Sequence, residues 1–315
     1  MRRQLSKPDA FRRRAWVLLV RRFVAGGLVV CAGILLVLIC AGVFLTYRIT
    51  TTHDGAEDVT PATYLLSSYE NVNFIDRNGG DHQGWLLIGL KGAPVIILCH
   101  GYNSNRSELL SLGTVLQANH YNVYLFNFEA SQPKGYFPNL GAQESSVLAS
   151  AIARVGKLQE VNPHHIGLYG NSVGAYAALV AGEQNPEVDA LAVDDVYSRP
   201  TQLFDVQLDR LLGGAGPLFR LLCQAEFRVF AMGTALTDVR SGLSRLAGKP
   251  KLFLASDSAP KLEISARQIY QDAPPPKRLV VLPHTEADLA TGPERKEYED
   301  QVLNFFLRNL PLKSD

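Results

Sequence analysis

What this 315-residue sequence lacks narrows it quickly. An excess of charge is missing: 31 Lys and Arg face 30 Asp and Glu, leaving a net charge of +1. The basic surplus sits in the first 22 residues and nothing resembling a basic stripe follows, which excludes a nucleic-acid partner held through phosphate contacts. Cysteine is scarce, with four in all. Cys31 and Cys40 fall in an apolar run, Cys99 ends a strand-like segment and Cys223 sits in a helical stretch. With no Cys-x-x-Cys and no His-rich spacing, neither a disulfide framework nor a metal site is expected. Internal repeats and low-complexity tracts are absent as well.

Charge is missing altogether from Phe23 to Tyr47, 25 residues bounded by Arg22 and Arg48. As a helix rising about 1.5 Å per residue, this run spans about 37 Å, enough to cross a bilayer. It is longer than the apolar part of a signal peptide and has no A-x-A cleavage pattern. Val30 precedes Cys31 and Ile39 precedes Cys40, so a lipoprotein signal does not fit either. Ahead of the run stand Arg2, Arg3, Lys7, Arg12, Arg13, Arg14, Arg21 and Arg22, with Asp9 the one acid. The positive-inside rule then gives a cytoplasmic segment 1–22, a single transmembrane helix 23–47, a polar linker 48–67 and a domain 68–315 on the non-cytoplasmic side.

Beyond the linker the pattern alternates. Strand-like runs occur at Val72 to Ile75, Trp85 to Leu90, Val95 to Cys99, Val123 to Phe126, Ile166 to Tyr169, Ala190 to Val193, Leu252 to Ala255 and Leu279 to Leu282. From the third onwards they are continuously apolar, as strands covered on both faces must be. Helical spacing fills Ser107 to Ala118, Gly141 to Leu158, Val173 to Gln184 and Glu294 to Leu307. This predicts an α/β domain built on a mostly parallel sheet of about eight strands with helices on both faces. The interval from Thr201 to Gly248 is too long for a simple crossover and is expected to form a small lid, which with the loop from Ser131 to Leu140 would shape a pocket.

One stretch stands out chemically. In "HIGLYGNSVGAYAALVAGEQ", Gly170 and Gly174 flank Ser172 between a strand-like run and a helix of small residues. Glycines weaken both elements, so a constraint must reward them. A nucleophile elbow supplies one: the strand turns sharply into a helix and exposes a strained serine. Such a serine needs a base and an orienting acid, later in the chain in the order Ser, Asp or Glu, His. Of seven histidines only His284 follows Ser172, just after the run "LVVLP". Asp257, at the tip of "KLFLASD", is the favoured orienter, with Asp194 or Asp195 in reserve. An oxyanion hole would take the backbone N–H of Val173 and that of Tyr102 in the turn His100-Gly101-Tyr102, His100 itself serving the loop backbone.

The segments "VIILCHGYNSNRSEL", "NVYLFNFEA", "IGLYGNSVGAYAALVAG", "LAVDDVYSRP", "KLFLASD" and "VVLPHTEADL" resemble, in order and spacing, the α/β-hydrolase fold. More narrowly, the chain is similar to the membrane-anchored α/β-hydrolase-domain proteins over Tyr69 to Leu310. The resemblance implies a serine hydrolase with no cofactor, acting on acyl ester or thioester bonds of small or lipid-like substrates through an acyl-enzyme intermediate. Peptide or amide hydrolysis and a non-catalytic binding module are the alternatives. Two departures mark the chain. Asn127, Glu129 and Ala130 stand where members usually carry Asp and Arg, and the loops leading to Asp257 and His284 are a few residues short. The sequon Asn105-Arg106-Ser107 lies in the oxyanion loop and is expected to stay unmodified.

Overall fold

The computed structural model describes residues 7–51, 59–64, 68–131, 140–214, 216–232, 236–286, 289 and 291–312, with side chains of the first helix from Trp16 onwards. The first six residues of the expected cytoplasmic segment, much of the expected linker and residues 132–139 of the pocket-shaping loop lie outside them. Helix α1 (Lys7–Thr50) runs unbroken for 44 residues. Its stretch from Trp16 has the length and hydropathy to cross a membrane, and only 6% of the most apolar window is buried. The final turns behave differently. Gly42, Thr46, Ile49 and Thr50 are buried, at the i, i+4, i+7, i+8 spacing of one helix face. Residues 48–50, expected to begin the linker, therefore continue the helix, because Ile49 finds a place in the domain core.

The remaining elements are β1 (Tyr69–Asn71), β2 (Phe74–Ile75), β3 (Asp81–His82), β4 (Gly84–Leu87), β5 (Ala93–Cys99), α2 (Leu110–Ala118), β6 (Asn122–Phe126), α3 (Ala142–Val155), β7 (Val161–Asn171), α4 (Val173–Gln184), β8 (Val188–Asp194), α5 (Pro200–Leu212), α6 (Pro217–Phe230), β9 (Lys251–Ser256), α7 (Pro260–Asp272), β10 (Lys277–Leu282) and α8 (Pro293–Asn309). Eight strands form one sheet in the order β1-β4-β6-β5-β7-β8-β9-β10. Pairing is antiparallel from β1 through β4 to β6 and parallel from there to β10.

Alternation along β5 explains why its run is continuously apolar. Val95, Ile97 and Cys99 join the core under α3 and α4, while Ile96 and Leu98 join the core under α2 and α8. Both sets are fully buried, so neither face can be polar. Two expectations shift. The run Val72 to Ile75 does not supply the first strand of the sheet, which is Tyr69–Asn71. Instead Asp76 accepts hydrogen bonds from the amides of Asn78 (2.8 Å) and Gly80 (2.7 Å), and the chain folds back through Gly79 (φ 83°) into a separate β2–β3 ribbon. Helix α7 was not anticipated, although Leu262, Ala266 and Ile269 bury the spacing that identifies it. The expected lid region contains α5 and α6, on the same side of the sheet as the end of α1.

The carboxyl of Glu183 in α4 is pushed up to about 7 by burial, with Arg245 opposing. The folded chain thus holds this proton more tightly than the unfolded one. The contribution is fully present below the unfolded value of about 4.5 and is lost as pH rises through about 7. Glu183→Gln is expected to flatten the fall in stability across that window, read from urea midpoints of the full chain in detergent at a series of pH values. Gly174 allows a second expectation. A Cβ there would stand 2.3 Å from the carbonyl oxygen of Cys99, a backbone atom that cannot swing aside. Gly174→Ala should therefore cost at least about 1–3 kcal/mol in the same unfolding measurement. Gly26→Ala, with open space around it, should cost nothing.

Candidate active site

Strands β5, β7 and β8 end side by side, and their ends carry the chemistry. At the end of β7 the chain turns into α4 through Ser172, whose backbone sits at φ 49° and ψ −109°. A positive φ is strained for a serine and is characteristic of a nucleophile elbow. The turn is held from three sides. The Ser172 amide donates to the Asp194 carbonyl (2.9 Å), the Tyr176 amide donates to the Ser172 carbonyl (3.0 Å), and the flanking glycines allow the close packing. A Cβ on Gly170 would lie 2.2 Å from the Gly174 carbonyl oxygen, so strand and helix meet at a distance only glycine permits. The amide of Val173 is the first of α4, where no carbonyl of the same helix can satisfy it and the positive end of the helix dipole lies.

The turn after β5 is fitted against this elbow. A Cβ on Gly101 would come within 2.4 Å of the Asn171 side-chain oxygen. His100 Nε2 accepts from the Phe128 amide (3.1 Å), which leaves Nδ1 as the donor to the Gly101 carbonyl (3.0 Å). The imidazole holds loop backbone, as expected. Tyr102 donates its hydroxyl to the Ile49 carbonyl in the last turn of α1 (3.0 Å). Burial pushes its phenol up to about 12, with the charge of Arg210 opposing. The expected oxyanion loop is thus tied directly to the end of the long helix. Asn105 is buried and its side-chain oxygen accepts from the Ser107 amide (2.9 Å), so the sequon asparagine is engaged inside the fold.

The other two expected triad members follow β9 and β10. Asp257 is exposed, and its amide donates to the Leu282 carbonyl (3.1 Å). His284 has a half-exposed side chain and pairs through Nε2 with Glu294 at 3.5 Å. Among the described residues, no hydrogen bond joins Ser172, Asp257 and His284.

A different cluster lies beneath the elbow. Asp194 is buried and accepts from Tyr298 (2.8 Å), the side-chain amide of Asn171 (3.1 Å) and the backbone amide of Glu286 (3.2 Å). Tyr298 also shares a hydrogen bond with Tyr169 (2.8 Å). Burial pushes the Asp194 carboxyl up, against these donors. Glu286 is likewise pushed up, to about 7, by burial, with Arg295 at 2.8 Å opposing and Asp194 adding to the rise. Asp194, held in reserve as the acid, instead joins the elbow to α8 and to the loop that carries His284. Asp195 follows it, buried and at φ 49°. The signal for this cluster was the tyrosine at 298 within an apolar helical face, since a buried hydroxyl requires a partner.

No protein-family model and no curated protein matches the chain. Solved structures do. An esterase of Pyrococcus furiosus is similar with a TM-score of 0.65 at 17% identity, over 84% of this chain and 99% of its own. A dienelactone hydrolase of Anabaena variabilis matches with a TM-score of 0.58 at 16% identity, over 77% and 98%. The α/β hydrolase GrgF of a Penicillium species does so with a TM-score of 0.58 at 16% identity, over 77% and 99%. A parallel sheet core, a strained serine between strand and helix, and these likenesses together establish that the chain has the α/β-hydrolase fold.

Proposed function

We propose that the chain is a membrane-anchored serine hydrolase acting on acyl esters or thioesters. The observation that carries the reading is the strained Ser172 at the N-terminus of α4, closely opposed by the Gly101 turn. In this reading the Ser172 oxygen attacks the acyl carbonyl while His284 takes its proton, and Asp257 orients the ring. The amides of Val173 and Tyr102 receive the developing oxyanion. His284 then protonates the leaving group, and water frees the acyl chain from the serine by the same steps. The contact from His284 to Glu294 is long and exposed, so it holds the ring only weakly.

An apolar acyl group suits the surroundings. A cavity of about 360 Å3 between α5 and the start of α7, next to the turn that carries Asp257, has an apolar side of Val206, Ala259, Pro260 and Leu262 and a polar rim of Arg210, Ser258 and the Asp209–Lys261 pair. Helix α1 is read as the single span, with its arginine-rich end in the cytoplasm and the hydrolase domain outside. A second reading is favoured by one observation, the outward position of His284: the domain would then bind an acyl ligand without turnover.

A fluorophosphonate probe separates the two. Wild-type chain should be labelled at Ser172 and should hydrolyse a short aryl ester faster than the matching aryl amide. Ser172→Ala and His284→Ala should each remove activity by about a million-fold, and the pair together little more. Asp257→Asn should cost about ten-thousand-fold through the wrong imidazole tautomer. Absence of both label and turnover in the wild type would leave the binding reading in its place.

A further inference from the structure

Helix α6 has apolar residues on two opposite sides. Cys223 and Phe227 point into the core and are fully buried. Leu218, Leu221 and Val229 lie on the other side, at i, i+3 and i+11, and are 83%, 60% and 63% exposed. Met232, just past the helix, is 77% exposed, and Leu211 and Leu212 at the end of α5 are exposed beside them. The polar residues form the flanks: Arg220 pairs with Asp209, and Gln224 donates to Asp205 (2.8 Å), both on α5. A helix apolar on its inner and outer sides needs an apolar medium on each.

The position of α6 identifies the outer medium. Its Glu226 carboxylate abuts Gly42 of α1, where a Cβ would stand 2.3 Å from Oε2. A hydrocarbon core about 30 Å thick takes about 20 residues of helix. Counted from Phe23, just past Arg21 and Arg22, these end at Gly42. The contact with α6 therefore falls at the far membrane boundary. The exposed apolar surface of α1 continues through Val43 and Phe44 alongside it.

We propose that the α5–α6 hairpin is a second membrane contact, its outer face seated at the headgroup–acyl boundary of the leaflet from which α1 emerges. This rests on the reading of α1 as a span. The contact fixes the domain at a defined height and tilt on the bilayer, because two elements now meet it. The α1 carbonyl that binds Tyr102 is seven residues past Gly42, about 10 Å beyond that boundary, so a lipid-like acyl ester has a short path to the oxyanion loop. The occupant is lipid, recognised through apolar burial as for an interfacial helix.

The test places single tryptophans in the full-length chain reconstituted in phosphatidylcholine vesicles with bromines on the acyl chains. Leu221→Trp and Met232→Trp report on the hairpin, Val30→Trp on the span, and Leu307→Trp, exposed on α8 across the sheet, on a water-facing surface. Against wild-type emission, the added signals at 221 and 232 should be strongly quenched by brominated lipid and protected from acrylamide, like that at 30 and unlike that at 307. Quenching by lipid at 30 with acrylamide access at 221 and 232 would overturn the hairpin contact and leave the span standing. Loss of lipid quenching at 30 as well would overturn the span and the inference with it.

Discussion

The closeness of α4 to the end of β5 is the constraint on which the site depends. Gly174 brings the helix backbone to van der Waals distance of the Cys99 and His100 carbonyls, and Gly170 lets β7 turn beneath it. No side chain could occupy either place. The serine between them is therefore held at a backbone conformation it would not adopt in a free chain, and its strain is balanced by burial of α4 on nearly every side. Helix α4 is rich in alanine and the end of β7 carries Gly170 for the same reason: bulk would move α4 outward and relax the turn.

Beneath that turn the protein accepts an electrostatic cost. Asp194 and Glu286 are two carboxylates in one buried region, and burial favours their neutral forms. Three donors on Asp194 and the guanidinium of Arg295 on Glu286 offset this cost, and Arg295 in turn bonds Glu299 (2.9 Å). Removing one partner from such a network leaves a buried polar group unsatisfied, which is costlier than never having built it. The network joins α8, the elbow and the loop of His284, three segments remote in sequence. Its position beneath the elbow makes it the support of the turn that holds Ser172.

Much of this was legible in the sequence. Continuous apolar runs predicted six parallel strands to within a few residues, because both faces of the sheet are covered and nothing polar can interrupt them. The elbow was legible because the two glycines have no other use. The run Val72 to Ile75 falls in a separate ribbon, since Asp76 and Gly79 redirect the chain through side-chain and positive-φ effects that hydrophobic spacing does not register. The partners of Ser172 were inferred from order along the chain, which says nothing of side-chain direction. Hence the pairing of the half-exposed His284 with Glu294 had no signature in the sequence.

The long helix is joined to the domain by more than its chain connection. A connection of flexible residues alone would leave the domain free to reorient relative to the helix. Here the last turns of α1 enter the core through Ile49, pack Gly42 against α6 and accept the Tyr102 hydrogen bond. Each contact is lost if the helix is removed. The Tyr102 hydroxyl would then lose its acceptor, and the core would lose Ile49. The end of α1 is thereby a structural part of the domain, and the position of the elbow relative to α1 is set by the same contacts that complete the core.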